Sequence, residues 1–397
     1  SCFKSSCDVK RSWRFIMSKI NVRSFSNENE DGAPDIVGVS TFSATSYFVP
    51  TRGTTAQRPS DHVEVGSLRY NYDIKNLEFY RGDTIGWSSF DLIDPDLGGG
   101  TGSNTGLGTR ALFFAGLGPD YKNEISHITI STLGNDQDFG NSTVSKQAAG
   151  GFSSRTRGFS VGGMNNSSQF IDVIEFATFA SLGDATDFGN LTGTKNRPAG
   201  VSDQTRGVSG GGNPNTNVID YVTMSSAGDA QDFGDLSAAR QSINSFASST
   251  RGVFAGGYVE PADFNTIDFI TISSTGDATD FGDLTVPRMV GGGCSNSTRG
   301  VIGGGDPTPG THTNIIDYVT IATIGDATDF GDLTSARRDV EAASSPTRAI
   351  FVGGDTPTLV NTIDYVEILT TGDAVDFGDQ TVTRDRLSAC SNGHGGL

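Results

Sequence analysis

The tripeptide Asp-Phe-Gly begins at Asp138, Asp187, Asp232, Asp280, Asp329 and Asp376, at intervals of 49, 45, 48, 49 and 47 residues. Self-similarity at that period means one supersecondary unit repeated, because a unit so small buries its apolar face only against neighbouring copies. A second marker keeps step. Thr-Arg, then a small residue and a short apolar run, recurs at Arg110, Arg157, Arg206, Arg251, Arg299 and Arg348.

Each unit reads as four short strands. In the fourth, Thr250-Arg251-Gly252-Val253-Phe254-Ala255 runs into Gly256-Gly257, a pair free to take positive φ. After a variable loop, Ile267-Asp268-Phe269-Ile270-Thr271-Ile272 alternates as a half-buried strand does. The turn Gly276-Asp277-Ala278 leads to Thr279–Leu284, and the chain continues through Pro287 and Arg288 into the first strand of the next unit. Four strands per repeat with no amphipathic helical stretch predict the blade of a β-propeller. The segment after Arg384 aligns with the start of the sixth unit from Arg337, whereas the first unit lacks a strand before Thr109. The expected fold is therefore all-β and six-bladed, with the C-terminal strand completing the first blade and hiding two sheet edges.

The glycine pair after an apolar strand and the period of about 50 residues resemble kelch repeats over residues 104–397. The tyrosine and tryptophan of a typical kelch repeat are missing, and Gly-Asp-Ala-Xaa-Asp-Phe-Gly-Asp is peculiar to these units. Before the repeats, Gly53-Thr54-Thr55-Ala56-Gln57-Arg58-Pro59 precedes Gly66-Ser67-Leu68-Arg69-Tyr70-Asn71, then Leu77-Glu78-Phe79-Tyr80-Arg81-Gly82-Asp83 and Trp87. Two alternating strands around a polar turn predict a hairpin. This string is similar to a short β-module of bacteriophage tail fibres and related virion proteins. The resemblance implies a virion structural protein, with residues 17–98 serving attachment to other virion proteins or packing as a homotrimer. The chain then divides into three segments: a basic extension at residues 1–16 with Met17 as the expected natural start, the module at 17–98 whose glycine-rich end from Asp94 tethers the propeller, and the propeller itself at 99–397.

The net charge of −18 disfavours nucleic acid and anionic membrane surfaces, and no apolar run reaches the length of about 18 residues that spans a bilayer. Four scattered cysteines, Cys2, Cys7, Cys294 and Cys390, form neither a disulfide frame nor a zinc pattern and are expected as free thiols. Six-fold recurrence of Asp-Phe-Gly without a catalytic loop excludes the kinase reading, and Arg81-Gly82-Asp83 is a triplet common by chance.

Two repeated features carry charge. Asp229, Asp232 and Asp235, like Asp277, Asp280 and Asp283, place three carboxylates within seven residues; such oxygens can ligate calcium, but turn carboxylates accepting backbone N–H bonds are the expected use, and no cofactor is expected. A basic residue recurs at Lys146, Lys195, Arg240, Arg288, Arg337 and Arg384. It forms either a ring of cations around a channel, able to grip an anionic sugar, or a repeated ion pair with carboxylates such as Asp232 or Asp280; pairing is the expectation. Arg110, Arg157, Arg206, Arg251, Arg299 and Arg348, with Asp138, Asp187, Asp232, Asp280, Asp329 and Asp376, are read as structural for the same reason.

What specifies a repeat must recur, so a binding site should sit where copies differ. The most variable stretches come after the glycine pairs, over residues 117–124, 164–170, 213–218, 258–266, 306–315 and 355–362, and all six are expected on one rim. Short polar and aromatic side chains there, Tyr121, Phe170, Asn213, Asn215, Tyr258, Phe264, Asp306, His312 and Asp355, suit sugar recognition. No nucleophile elbow or zinc-binding His-Glu-Xaa-Xaa-His occurs, so the chain reads as a non-enzymatic virion appendage binding a host-surface glycan or receptor. The alternatives are a kelch-like scaffold binding another protein through its rim loops and a polysaccharide depolymerase working through paired carboxylates.

Overall fold

Alternating apolar residues punctuated by tight glycine turns give strands throughout; among the described residues the sole helical element is a 3-10 turn, Thr55–Gln57. The computed structural model describes residues 51–59, 63, 65–73, 76–82, 86–89, 109–307 and 310–397. The expected extension 1–16, Met17, Cys2, Cys7, Asp83 and the tether 94–108 lie outside them. The chain divides into two compact units between Leu92 and Ile93.

In the first unit the expected hairpin, Leu68–Asn71 with Asn76–Tyr80, is present but flanked on both sides. Thr51–Gly53 adds in parallel to the first strand and Trp87–Ser89 antiparallel to the second, which makes a four-stranded sheet where two strands were predicted. The reason is polar. Arg69 and Glu78 are buried on the hairpin, and residues 51–59 supply a partner to each: Thr54 O accepts from Arg69 Nη2 at 2.9 Å, and Arg58 pairs with Glu78 at 2.6 Å. Trp87 packs on Tyr80 and donates its indole N–H to Pro59 O.

The second unit holds six four-stranded antiparallel sheets. The third is representative, with Ala199–Ser202, Arg206–Gly210, Val218–Thr223 and Gln231–Asp235 in that order. The first sheet draws its first strand from the far end of the chain: Ser388–Ser391 pairs antiparallel with Arg110–Phe114, followed by Glu124–Thr129 and Gln137–Asn141. Beyond that strand the Asn392 side chain accepts from Arg110 N–H at 2.8 Å, and Asn392 N–H returns a bond to Arg110 O.

The repeated motifs are the two halves of a contact between successive sheets. The Phe of Asp-Phe-Gly is buried in all six copies, while its Asp is exposed. Its Gly, at φ between 145° and 156°, lies against the Gly of the next sheet's Gly-Asp-Ala turn so closely that a Cβ would strike backbone. That turn bonds back. Gly183 N–H donates to Phe139 O at 2.8 Å, and Asp184 Oδ1 accepts from Asn141 N–H at 2.9 Å. Asp229, Asp277, Asp326 and Asp373 repeat the side-chain bond, and in the first sheet Asn135 replaces the Asp and accepts from Asp379 N–H of the sixth at 3.0 Å.

The Thr-Arg arginines make a second set of such links. Arg299 stacks on Tyr318 of its own third strand at 4.3 Å and donates to a carbonyl in the following sheet. Arg110 reaches Phe179 O, Arg157 Met224 O, Arg206 Ile272 O, Arg251 Ile321 O and Arg299 Ile368 O. Arg348 of the sixth sheet reaches Ser131 O of the first at 3.1 Å. Both sets of links thus run from each sheet to the next and return from the sixth to the first.

Side chains between sheets are matched in volume. Phe152 lies on Gly207, Val201 on Gly252, Phe246 on Gly300 and Cys390 on Gly158, so closely that a Cβ on any of these glycines would collide. At the other two junctions Ala stands in place of Gly: Cys294 and Ala349 share one cluster, Ala343 and Ala111 another. Cys294 and Cys390 are free and buried, as expected, with the Cys294 thiol pushed far up by burial and the Cys390 thiol pushed up to about 12. The first strands of all six sheets line one narrow cavity of about 50 Å³, walled by Gly151, Gly200, Ser245, Gly293, Ala342 and Ala389 among others.

Candidate functional site

The six repeated cations do not face this cavity. Lys146, Lys195, Arg240, Arg288, Arg337 and Arg384 are buried and pair with acids, as expected, but the partners differ from those expected. The acid is on the third strand and not in Asp-Phe-Gly: Glu175 at 2.9 Å, Asp220 at 2.6 Å, Asp268 at 2.9 Å, Asp317 at 2.8 Å and Asp364 at 2.9 Å for the first five. Asp187, Asp232, Asp280, Asp329 and Asp376 sit directly across the strand pair from these acids, but are exposed, beside a register shift in the pairing. In the first sheet Ser126 occupies the acid position, and Arg384 bonds its hydroxyl with Asp136 at 4.0 Å. The guanidinium also ties strands together, Arg240 donating to Thr266 O and Phe254 O. Burial alone would raise the Glu175 carboxyl, but Lys146 and the Thr143 hydroxyl outweigh it and hold the group below its usual range.

Two residues after each buried cation stands a residue that is not held constant: Ala148, Arg197, Ser242, Val290, Asp339 and Arg386. All six have φ between 49° and 58°, the left-handed region in which a side chain is strained, and acutely so for the β-branched Val290. Glycine would relieve that strain, yet a side chain is kept in every copy. Their backbones are linked to one another. Ala148 N–H donates to Arg386 O at 2.7 Å, Arg197 to Ala148 O at 2.6 Å, Ser242 to Arg197 O and Val290 to Ser242 O. These side chains, with Glu341, Pro198 and Gly291, enclose a second cavity of about 50 Å³.

Charge gathers at this mouth. Arg197, at the start of the third sheet, donates to Asp339 of the sixth at 3.1 Å and to the Ser242 hydroxyl at 3.3 Å. Arg386 approaches the same Asp339 at 3.5 Å and Asp385 at 3.7 Å, and donates to Gln147, whose amide donates to Tyr121 Oη at 3.0 Å. Arg338 holds Asp306 and Asp355, each at 3.3 Å. Five carboxylates face three guanidiniums. Burial, then the Asp339 charge, pushes the half-buried Glu341 carboxyl well above its ordinary range, and the same causes raise Asp385 to about 6.

The rim loops begin at this same end of the sheets: Asn213, Tyr258, Asp306 and Asp355 bridge to Asn196, Gln241, Met289 and Arg338, the neighbours of the strained residues. The predicted residues divide by role. Tyr121 joins the mouth through Gln147. Asn215 is exposed, and Phe170 and Asn213 are half-buried in their loops. Tyr258 pairs with Asp263 in a small hairpin, and Phe264 is taken by the buried Arg240, 5.7 Å above its ring. Asp306 is fully buried and accepts from Gly310 N–H and from Thr311, so it shapes its own loop; His312 is half-buried there. Arg197, Ser242, Asp339, Glu341, Asp385, Arg386 and Arg338 were not singled out from sequence. The signal was present, since the column two places after the repeated cation reads Ala, Arg, Ser, Val, Asp, Arg inside an otherwise regular frame.

At the opposite end of the first strands, Gly393–Leu397 lies across a set of serines. His394 Nε2 is 3.2 Å from Ser202 Oγ and 3.3 Å from Ser153 O, while its Nδ1 accepts from Gly396 N–H at 3.1 Å. With Nδ1 an acceptor, Nε2 carries the proton and cannot take one from Ser202. Burial lowers this imidazole to about 4, so the pair is a structural bond and not a nucleophile with its base. Among the described residues no group of three or more His, Cys, Asp or Glu is placed to hold a metal ion, and no helix is long and apolar enough to cross a membrane.

No protein-family model matches the chain, and no curated protein is significantly similar to it.

Proposed function

We propose that the six sheets are the blades of a kelch-like β-propeller, closed by the C-terminal strand, and that the end carrying the variable loops and the charged mouth is a binding face for a host-surface glycan or receptor. What supports closure is the return of two independent sets of hydrogen bonds from the sixth sheet to the first, together with the strand that Ser388–Ser391 contributes there. The single observation that carries the binding reading is a division of labour. Every repeated charged residue that is not exposed on an outer strand bonds backbone or a buried partner, and the polar groups that break the repeat collect at one end with strained backbone. The strained backbone recurs in every copy and belongs to the fold, whereas the side chain it carries changes from copy to copy, and that variation is what supports binding.

The proposed role is non-enzymatic. The module at residues 53–87, with its likeness to tail-fibre segments, supports a virion appendage in which the first unit attaches and the second binds. Full-length protein tested on a glycan array and on intact bacterial envelopes should bind, and Arg197→Ala with Arg386→Ala should weaken that binding at least tenfold. Retention on neither surface, or release of reducing ends from polysaccharide, would overturn this assignment. Sedimentation of the full chain should give a trimer if the first unit packs as in fibre proteins; a monomer at micromolar concentration counts against the virion reading.

A further inference from the structure

The last residue of each first strand carries a hydroxyl that links the sheets, with one exception. Ser202 donates to Ser153 O, Ser153 to Ser391 O, Ser391 to Ser344 O, Ser344 to Ser295 O and Ser295 to Ala247 O. Ala247 has no hydroxyl with which to continue the ring towards Ser202. Gly393–Leu397 lies over that gap. Gly395 N–H donates to Ser295 O at 2.8 Å, a Cβ on Gly395 would strike Asn296 O and Ala247 O, and one on Gly396 would strike Ser202 O. The segment is a strap lying flush on backbone, an approach that only residues without a Cβ allow.

His394 makes this strap a partition. Its ring lines both the narrow cavity of about 50 Å³ between the first strands and an outer cavity of about 290 Å³ bounded by Thr109, Arg155, Asn296 and Pro346. The two ring nitrogens are held in opposite senses. Ser153 O only accepts, so Nε2 donates to it at 3.3 Å; Gly396 N–H only donates, so Nδ1 accepts from it at 3.1 Å. A second proton on the ring would sit on Nδ1 and set two donors head to head. Arg155, which donates to Leu397 O at 2.8 Å, opposes that proton with a like charge. The other titratable groups of the narrow cavity are the Cys294 and Cys390 thiols, pushed up by burial and neutral. Among the described residues no Asp or Glu lines either cavity.

We propose that Gly393–Leu397 is an acid-released strap that seals the channel at the end opposite the rim loops, with His394 as its latch, and that its release joins the two cavities. The docked ring is neutral because burial lowers it to about 4, whereas a released histidine titrates at its ordinary value of 6.5. The docked strap is therefore most stable above pH 6.5, and that stability is lost as pH falls from 6.5 towards 4. Release becomes roughly twentyfold more favourable between pH 7 and pH 5.

The test is hydrogen–deuterium exchange of the full chain, read as protection of the Gly395, Gly396 and Leu397 amides relative to a synthetic peptide of the same sequence, which removes the intrinsic effect of pH. Protection should fall roughly twentyfold from pH 7 to pH 5, while the amides of Arg206–Gly210 stay protected. In His394→Asn the side-chain oxygen can accept from Gly396 N–H, as Asp203 does from Thr205 N–H two residues on, but nothing titrates. Whatever its level, protection in that variant should not change between the two pH values. The ring proton resonances of His394, identified as those missing from His394→Asn, should titrate well below 6.5 in the folded chain. Equal protection at pH 7 and pH 5, a fall that persists in His394→Asn, a ring that titrates at 6.5, or loss of protection throughout the sheets at pH 5 overturns the inference.

Discussion

Gly207→Ala tests the volume matching between sheets. An alanine Cβ at that position falls on the Phe152 ring, well inside van der Waals contact, and Phe152 is held by stacking on Phe159 at 5.1 Å. Overpacking of this kind costs about 2 kcal/mol. Phe152→Ala alone removes a buried ring and costs about 3–5 kcal/mol. If the two sites were independent the double variant would lose the sum; because the new methyl enters space the ring vacated, it should be no less stable than Phe152→Ala, a coupling of about 2 kcal/mol. The molecule contains the precedent, for Ala111 and Ala343 form such a pair between the sixth sheet and the first. The assay is urea unfolding monitored by far-ultraviolet dichroism and tyrosine fluorescence, with Gly193→Ala, whose Cβ would meet nothing, as a control that stays within about 0.5 kcal/mol. Additive losses in the double variant would refute the view that these glycines exist to receive the preceding sheet's side chain.

The same geometry sets four further outcomes. Asp277→Ala, which strips the acceptor from Asp235 N–H, should cost about 1 kcal/mol, whereas Asp277→Asn should be nearly neutral because Asn135 does the same task in the first sheet; denaturant midpoints decide. Arg288→Ala leaves Asp317 buried without its cation and should lose about 3–5 kcal/mol, with Arg288→Lys recovering part because Lys146 and Lys195 fill that position elsewhere. Asp385 and Glu341 are raised in the folded state, so they favour folding below their folded range and that contribution is lost as pH rises through about 6 for Asp385; Glu175 is depressed and its contribution is lost as pH falls through its lowered range. Melting temperature should therefore be higher at pH 5.5 than at pH 7.5, and Asp385→Asn should raise the value at pH 7.5 and flatten the difference. Removal of residues 388–397 exposes the edge of Arg110–Phe114 and should give an aggregating protein, detected by light scattering; a stable monomer would contradict closure by that strand.

The repeated strands, the glycine pairs at positive φ and the contribution of the last strand to the first sheet were legible because they depend on local period and on counting strands, and both survive in a single sequence. Turn carboxylates as backbone acceptors were legible for the same reason, since Asp277 acts through geometry its own turn sets. The partners of Arg240 and its equivalents were not. Asp280 and Asp268 stand opposite each other on adjacent strands, and a bulge between Ile267 and Asp268 decides which carboxylate turns inward, a fact no spacing encodes.

The amino-acid sequence by itself determined the number of units, their strand content and the place where copies diverge, because repetition is written in residue types. Only the tertiary structure decided that Arg197 meets Asp339 across 142 positions and that Asp385 is left short of a donor, because those contacts arise where side chains of the third, sixth and first sheets converge, and convergence is a property of packing and not of period.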